Sequence, residues 1–223
     1  MANKKILVVA AHPDDEVIGA GGTIAAHAAS GDDVFIVILT EGASVQFPNE
    51  PDKISLKKEQ ARKVAKLLGA QKVFFGDFPD QKLDVTPILE VNRLLEGIAR
   101  DIQAQIIYTH HFADLNCDHR VAYEAAAVAT RPFSLPSFES LLCYAADTFS
   151  HAGFGTPHFN LYSDIETTLE LKLKAMQIYE TEVRAYPHPR SLEAMRILAL
   201  RNGVMVGLGA AELFQSVLDV RRG

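Results

Sequence analysis

With 223 residues, 48% hydrophobic and 22% charged, the chain is long enough to bury a full core without disulfide staples. Its formal net charge of −6 argues against nucleic-acid backbones or anionic membranes as main partners. Two cysteines, Cys117 and Cys143, make no disulfide framework, no stretch reaches the about 18 apolar residues of a membrane span, and Lys4-Lys5 leads to no cleavage site; a cytoplasmic location is expected.

The first element is the apolar run Ile6 to Ala11, which is too short for an independent helix and reads as a strand buried on both faces, ended by Pro13. A helix begins near Asp15 and closes at the glycine cap Ser30-Gly31, with Gly19, Gly21 and Gly22 letting it lie close to the sheet. Val34 to Leu39 is a second buried strand, followed by the loop Thr40-Glu41-Gly42. The polar stretch from Ala43 to Lys53 reads as a mobile lid or rim. From Ser55 to Gly69, Leu56, Ala61, Val64, Leu67 and Leu68 recur at helical spacing.

Lys72 to Phe75 is a third strand, and Asp77 to Asp84 its loop. A helix spans about Thr86 to Gln103, and Ile106 to Thr109 is a fourth strand. Val121 to Thr130 is an Ala-rich helix stopped by Arg131-Pro132, Leu141 to Ala145 a fifth strand, and Phe149 to Phe159 an irregular loop. Helices over Glu166 to Glu182 and Ser191 to Asn202 and a last strand over Glu212 to Val220 complete the chain. This alternation predicts an α/β, Rossmann-like architecture, with a mainly parallel sheet covered by helices on both faces and residues 1–223 forming a single domain.

Ligands of open parallel sheets sit beyond the carboxyl ends of the strands, and that is where His12, Asp14, Asp15 and Glu16 follow the first strand. His12 and Asp15 lie three residues apart across a proline turn, a spacing that can direct a nitrogen and a carboxylate oxygen at one point. His119, after the fourth strand, would supply a third ligand. Two nitrogens and one oxygen match catalytic zinc with an open position for water.

The segment Ala11-His12-Pro13-Asp14-Asp15-Glu16 resembles the signature of the PIG-L/LmbE-like zinc deacetylases. Asp118-His119-Arg120 resembles that family's second metal motif, Gly76-Asp77-Phe78-Pro79-Asp80 its middle loop, and the stretch around His188-Pro-Arg190-Ser191 its tail. The resemblance implies removal of an acetyl group from an N-acetylated amino sugar or conjugate, with Zn2+, or another divalent ion such as Fe2+, held by His12, Asp15 and His119. It implies Asp14 as general base, and homo-oligomers are common among members. Where many relatives carry a histidine three residues before the metal histidine, this chain has Asn116, which can donate to an oxyanion but cannot deliver a proton. Asp118 is expected to orient a neighbour or cap a helix. His188 is either a proton donor or substrate contact or a turn residue; Lys58 (with Lys57) is either a substrate contact or part of a solvated helix face.

Two alternatives stand beside this reading. A two-histidine, one-carboxylate set also serves non-haem Fe(II) oxygenases. Gly19-Ala20-Gly21-Gly22 suggests a nucleotide-binding module without hydrolytic activity, although His12 to Asp15 occupy the turn where a dinucleotide fingerprint places its glycines.

Overall fold

The computed structural model describes residues 3–146 and 158–221; most of the loop expected over Phe149 to Phe159 lies outside them. Its elements are β1 Lys5–Ala10, α1 Asp15–Ala29, β2 Asp33–Thr40, α2 Asp52–Leu68, β3 Lys72–Phe78, α3 Ile88–Ile102, β4 Ile106–His110, α4 Cys117–Ala129, β5 Ser140–Tyr144, β6 Leu161–Asp164, α5 Leu169–Ile178, α6 Leu192–Val204 and β7 Ala211–Asp219. They form one seven-stranded sheet in the order β3-β2-β1-β4-β5-β7-β6. The pairs from β3 to β5 are all parallel, and β7 runs antiparallel between β5 and β6. The expected mainly parallel, Rossmann-like α/β sheet is what the chain builds.

Strand β1 shows why its sequence is apolar throughout. Ile6, Val8 and Ala10 pack into a core with α1, α2, α5 and α6, while Leu7, Val9 and Ala11 pack into a second core with α3 and α4. All six are fully buried, so successive side chains leave the strand on opposite faces and both faces are covered. Each large one stabilises the fold by about 1.5–3 kcal/mol relative to leaving it exposed. The direction of strand order reverses between β1 and β4, and this switch point opens a crevice at their carboxyl ends.

Glycine ends α1 and α2 as expected, with Gly31 at φ 88° and Gly69 at φ 82°. Gly19 lets α1 lie on the sheet, since a Cβ there would strike the Tyr144 ring of β5; Gly22 faces Ile165 and Gly21 faces Lys172 of α5. Several boundaries differ from the periodicity. Strand β3 continues through Asp77, and α2 begins at Asp52. Helix α4 begins four residues before Val121 because the Asn116 side chain accepts the Asp118 N–H at 2.9 Å and caps it there. Helix α5 stops at Ile178, because Tyr179 turns away (φ −81°, ψ 64°) into the core. Strand β6 was not expected.

Candidate metal centre

The turn after β1 and the start of α4 after β4 bring three side chains together. His12 Nδ1 lies 3.1 Å from Asp15 Oδ2, His119 Nε2 lies 3.3 Å from His12 Nδ1, and His119 Nε2 lies 3.4 Å from Asp15 Oδ2. Atoms bound about 2.0–2.1 Å from a tetrahedral zinc stand roughly 3.3 Å apart, so this near-equilateral triangle has the right size for such an ion. The three predicted ligands thus form one group able to hold a metal.

The outer nitrogens of both rings are engaged by carboxylates. His12 Nε2 is 3.1 Å from Asp118 Oδ2, and His119 Nδ1 is 3.0 Å from Asp114 Oδ2. With protons on those outer nitrogens, His12 Nδ1 and His119 Nε2 present lone pairs to the gap, the usual arrangement of a histidine ligand backed by an acid. Asp118 is itself fixed by the Leu83 N–H at 2.9 Å. It does not line the pocket, so its place is behind His12, as an orienting group. His110 lies deeper, its ring stacked on His119 at 3.8 Å and its Nε2 accepting the Ala11 N–H at 3.0 Å.

Without an ion, protons take the cation's place. Burial opposes charge on His12 and His119, but carboxylates overcome it: Asp118 and Asp15 lift His12 to about 10, and Asp15 and Asp114 lift His119 to about 9. Burial also works against the Asp15 carboxylate, yet the charged His119 beside it holds it well below its usual range. Burial and the neighbouring His119 push His110 down to about 4, so it stays neutral.

Beside the triangle is a pocket of about 310 Å³ lined by His12, Asp14, Asp15 and His119 and by Asn116, Asp80, Gln81, Gln46, Lys57, Glu182 and Arg190, among others. Asn116 spends its side-chain oxygen on the α4 cap, which leaves the NH2 as the group it offers to the pocket. The other expectations are distributed differently. Lys58 pairs with Asp77 at 2.5 Å, and it is Lys57 that reaches the pocket wall, donating to Gly42 O, Gln46 Oε1 and Glu182 Oε1. His188 Nδ1 accepts the Arg190 N–H at 3.1 Å as a turn residue, and Arg190, two positions on, enters the pocket. The stretch expected as a lid or rim contributes Val45 and Gln46 to the wall.

A triangle of side chains able to hold a metal ion, backed by carboxylates, lies at the switch point of this Rossmann-like α/β sheet. Residues 7–130, more than half the chain, match the family model for GlcNAc-PI de-N-acetylase (PIG-L), and the chain belongs to that family. It is similar to the diacetylchitobiose deacetylase of Thermococcus kodakarensis, with 30% identity over 94% of this chain and 81% of that protein. A second relative, the 1D-myo-inositol 2-acetamido-2-deoxy-alpha-D-glucopyranoside deacetylase 1 of Catenulispora acidiphila, is 26% identical over 100% of this chain and 86% of its own length. Among solved structures, the N,N'-diacetylchitobiose deacetylase of Pyrococcus horikoshii superposes with a TM-score of 0.75 at 26% identity, covering 96% of this chain and 84% of that one. Family and fold together do not favour the oxygenase and nucleotide-module alternatives.

Proposed function

We propose that this chain is a zinc-dependent N-deacetylase that hydrolyses the acetamide of a small N-acetylated amino sugar or sugar conjugate. The observation that carries the reading is the convergence of His12 Nδ1, Asp15 Oδ2 and His119 Nε2 beside a pocket that Asp14 and Asn116 also line. The relatives named above support the substrate class. The pocket has the size of a small-molecule site, and Asp80, Gln81 and Gln46 line it with groups able to bond sugar hydroxyls. Among the described residues no helix is long and apolar enough to cross a membrane, which suits action on a substrate in the cytoplasm.

His12, Asp15 and His119 would hold a divalent ion, which would supply Lewis-acid polarisation to the acetyl carbonyl and the attacking water. Asp14 then accepts a proton from that water as the new C–O bond forms. The Asn116 NH2 donates to the carbonyl oxygen as negative charge develops on it. On breakage of the C–N bond, Asp14 returns its proton to the nitrogen, giving acetate and a free amine. Two observations support this double duty: the Asn116 amide cannot act as an acid at neutral pH, and His188 lies outside the pocket lining.

Acetate release from a panel of N-acetylhexosamines and diacetylchitobiose tests the reading. Metal-loaded wild type should turn over at least one of them, and Asp14→Asn should keep its metal while losing about 10²-fold or more in kcat. Undiminished turnover in Asp14→Asn would remove the base from the mechanism.

A further inference from the structure

Asp14 has an unusual backbone. It stands at φ 121°, ψ −28°, outside the regions that L residues favour, and such a conformation persists only where its surroundings over-determine it. Two sets of contacts do so. On the main-chain side, the Asp14 N–H donates to Glu16 Oε2 at 3.1 Å, and Glu16 Oε1 accepts the Tyr179 hydroxyl at 2.6 Å. Glu16 and Tyr179 are both buried. On the side-chain side, Arg190 NH1 lies 3.5 Å from Asp14 Oδ2 and 2.7 Å from Glu182 Oε2. Glu182 is anchored in turn through its other oxygen by Lys57 Nζ at 2.8 Å.

Tyr179, Glu182 and Arg190 all come from the stretch between α5 and α6, remote in sequence from Asp14. The carboxylates that back the candidate metal ligands, Asp114 and Asp118, come from a different part of the chain, around the start of α4. The ligands and the base are therefore held by separate scaffolds. We propose that Tyr179, through Glu16, and Arg190, held by Glu182, are positioning residues for Asp14, one fixing its main chain and the other the aim of its carboxylate. The proposal rests on the reading of Asp14 as the base.

The test compares Tyr179→Phe and Arg190→Met, each in the wild-type and in the Asp14→Asn background, with kcat, KM and metal content measured on the metal-loaded enzyme. Misplacing a reacting group by about 1 Å can cost 10²-fold, so each single variant should lose about ten- to a hundredfold in kcat. KM should stay within about twofold and metal content should be unchanged. Arg190→Lys, which keeps the charge at shorter reach, should recover part of the loss. In the Asp14→Asn background neither substitution should lower the residual turnover further, because the group it aims is gone.

A full additional loss in that background would overturn the inference, because the two residues would then act other than through Asp14. A rise in KM alone would make Arg190 a substrate contact, and loss of metal would make either residue part of the ligand scaffold; both results overturn it. Full activity in Asp14→Asn alone would sink the base reading and this inference with it, an outcome distinct from an active wild type with an additive double variant.

Discussion

One wall of the site, carrying the candidate ligands, is made by the turns that follow β1 and β4, whereas a second is made by Glu182 and Arg190 from the stretch between α5 and α6; the loops after β2 and β3 and Lys57 of α2 line the rest. In the first wall, neighbouring parallel strands set the distance between His12 and His119, and most of the supporting residues are close in sequence, with Asp15 beside His12 and Asp114 and Asn116 before His119, while Asp118 reaches from the start of α4 to His12. In the second wall, Glu182 and Arg190 reach Lys57 and Asp14 across more than a hundred positions. In the proposed mechanism the first wall holds the ion and the second aims Asp14. Substitutions on the two walls should therefore separate metal affinity from turnover.

The sharpest way to break that separation is at Asn116, which belongs to the first wall by position but faces the pocket. Removal of one oxyanion donor costs about 10²–10³ in turnover. Asn116→Ala should show a loss of this order with little change in metal content. A variant that lost its metal and kept its specific activity per bound ion would show the residue to be only a helix cap.

Asp118 gives a smaller effect of the opposite kind. Carboxylates behind histidine ligands are worth about 10–100-fold in metal affinity, so Asp118→Asn should weaken binding by that factor while near-normal kcat returns at saturating metal. Titration with a competing chelator measures it. Loss of kcat at saturating metal would place Asp118 in the chemistry instead.

Acidity supplies the gentlest probe of the first wall. In the ion-free protein His12 is raised to about 10 and His119 to about 9, so at neutral pH both carry protons that an incoming ion must displace. Metal affinity should climb with pH by up to about tenfold per displaced proton per unit, and flatten above about 10. The stability of the ion-free protein should run the other way. Groups raised above their unfolded value contribute fully below about 6.5, and that contribution is lost as pH rises through about 9 to 10. Thermal melts of chelator-treated protein across this range check the sign.

The same division explains what could be read in the sequence. Strands β1 and β2 stand out because they are buried on both faces and so are almost continuously apolar, and His12 and Asp15 stand out because they follow β1 closely, whereas His119 lies on α4, beyond the loop that follows β4. Strand β6 has four half-buried or exposed residues and, among the described residues, pairs only with β7, which arrives about fifty positions later, so nothing local marks it. Helix α4 is Ala-rich only after Val121, and its true start depends on the Asn116 cap. Lys57 and Lys58 are adjacent on α2 and differ only in which face they take, which packing decides. Arg190 stands two residues beyond His188 in the same tail motif, but the direction in which each side chain leaves that turn is set by Glu182 and Asp14.

The central claim is that His12, Asp15 and His119 together hold one divalent ion, and elemental analysis of purified protein tests it most directly. The account predicts about one ion per chain in the wild type and in Asp14→Asn, and almost none in His119→Ala under the same preparation. Equal metal content in wild type and His119→Ala would contradict it.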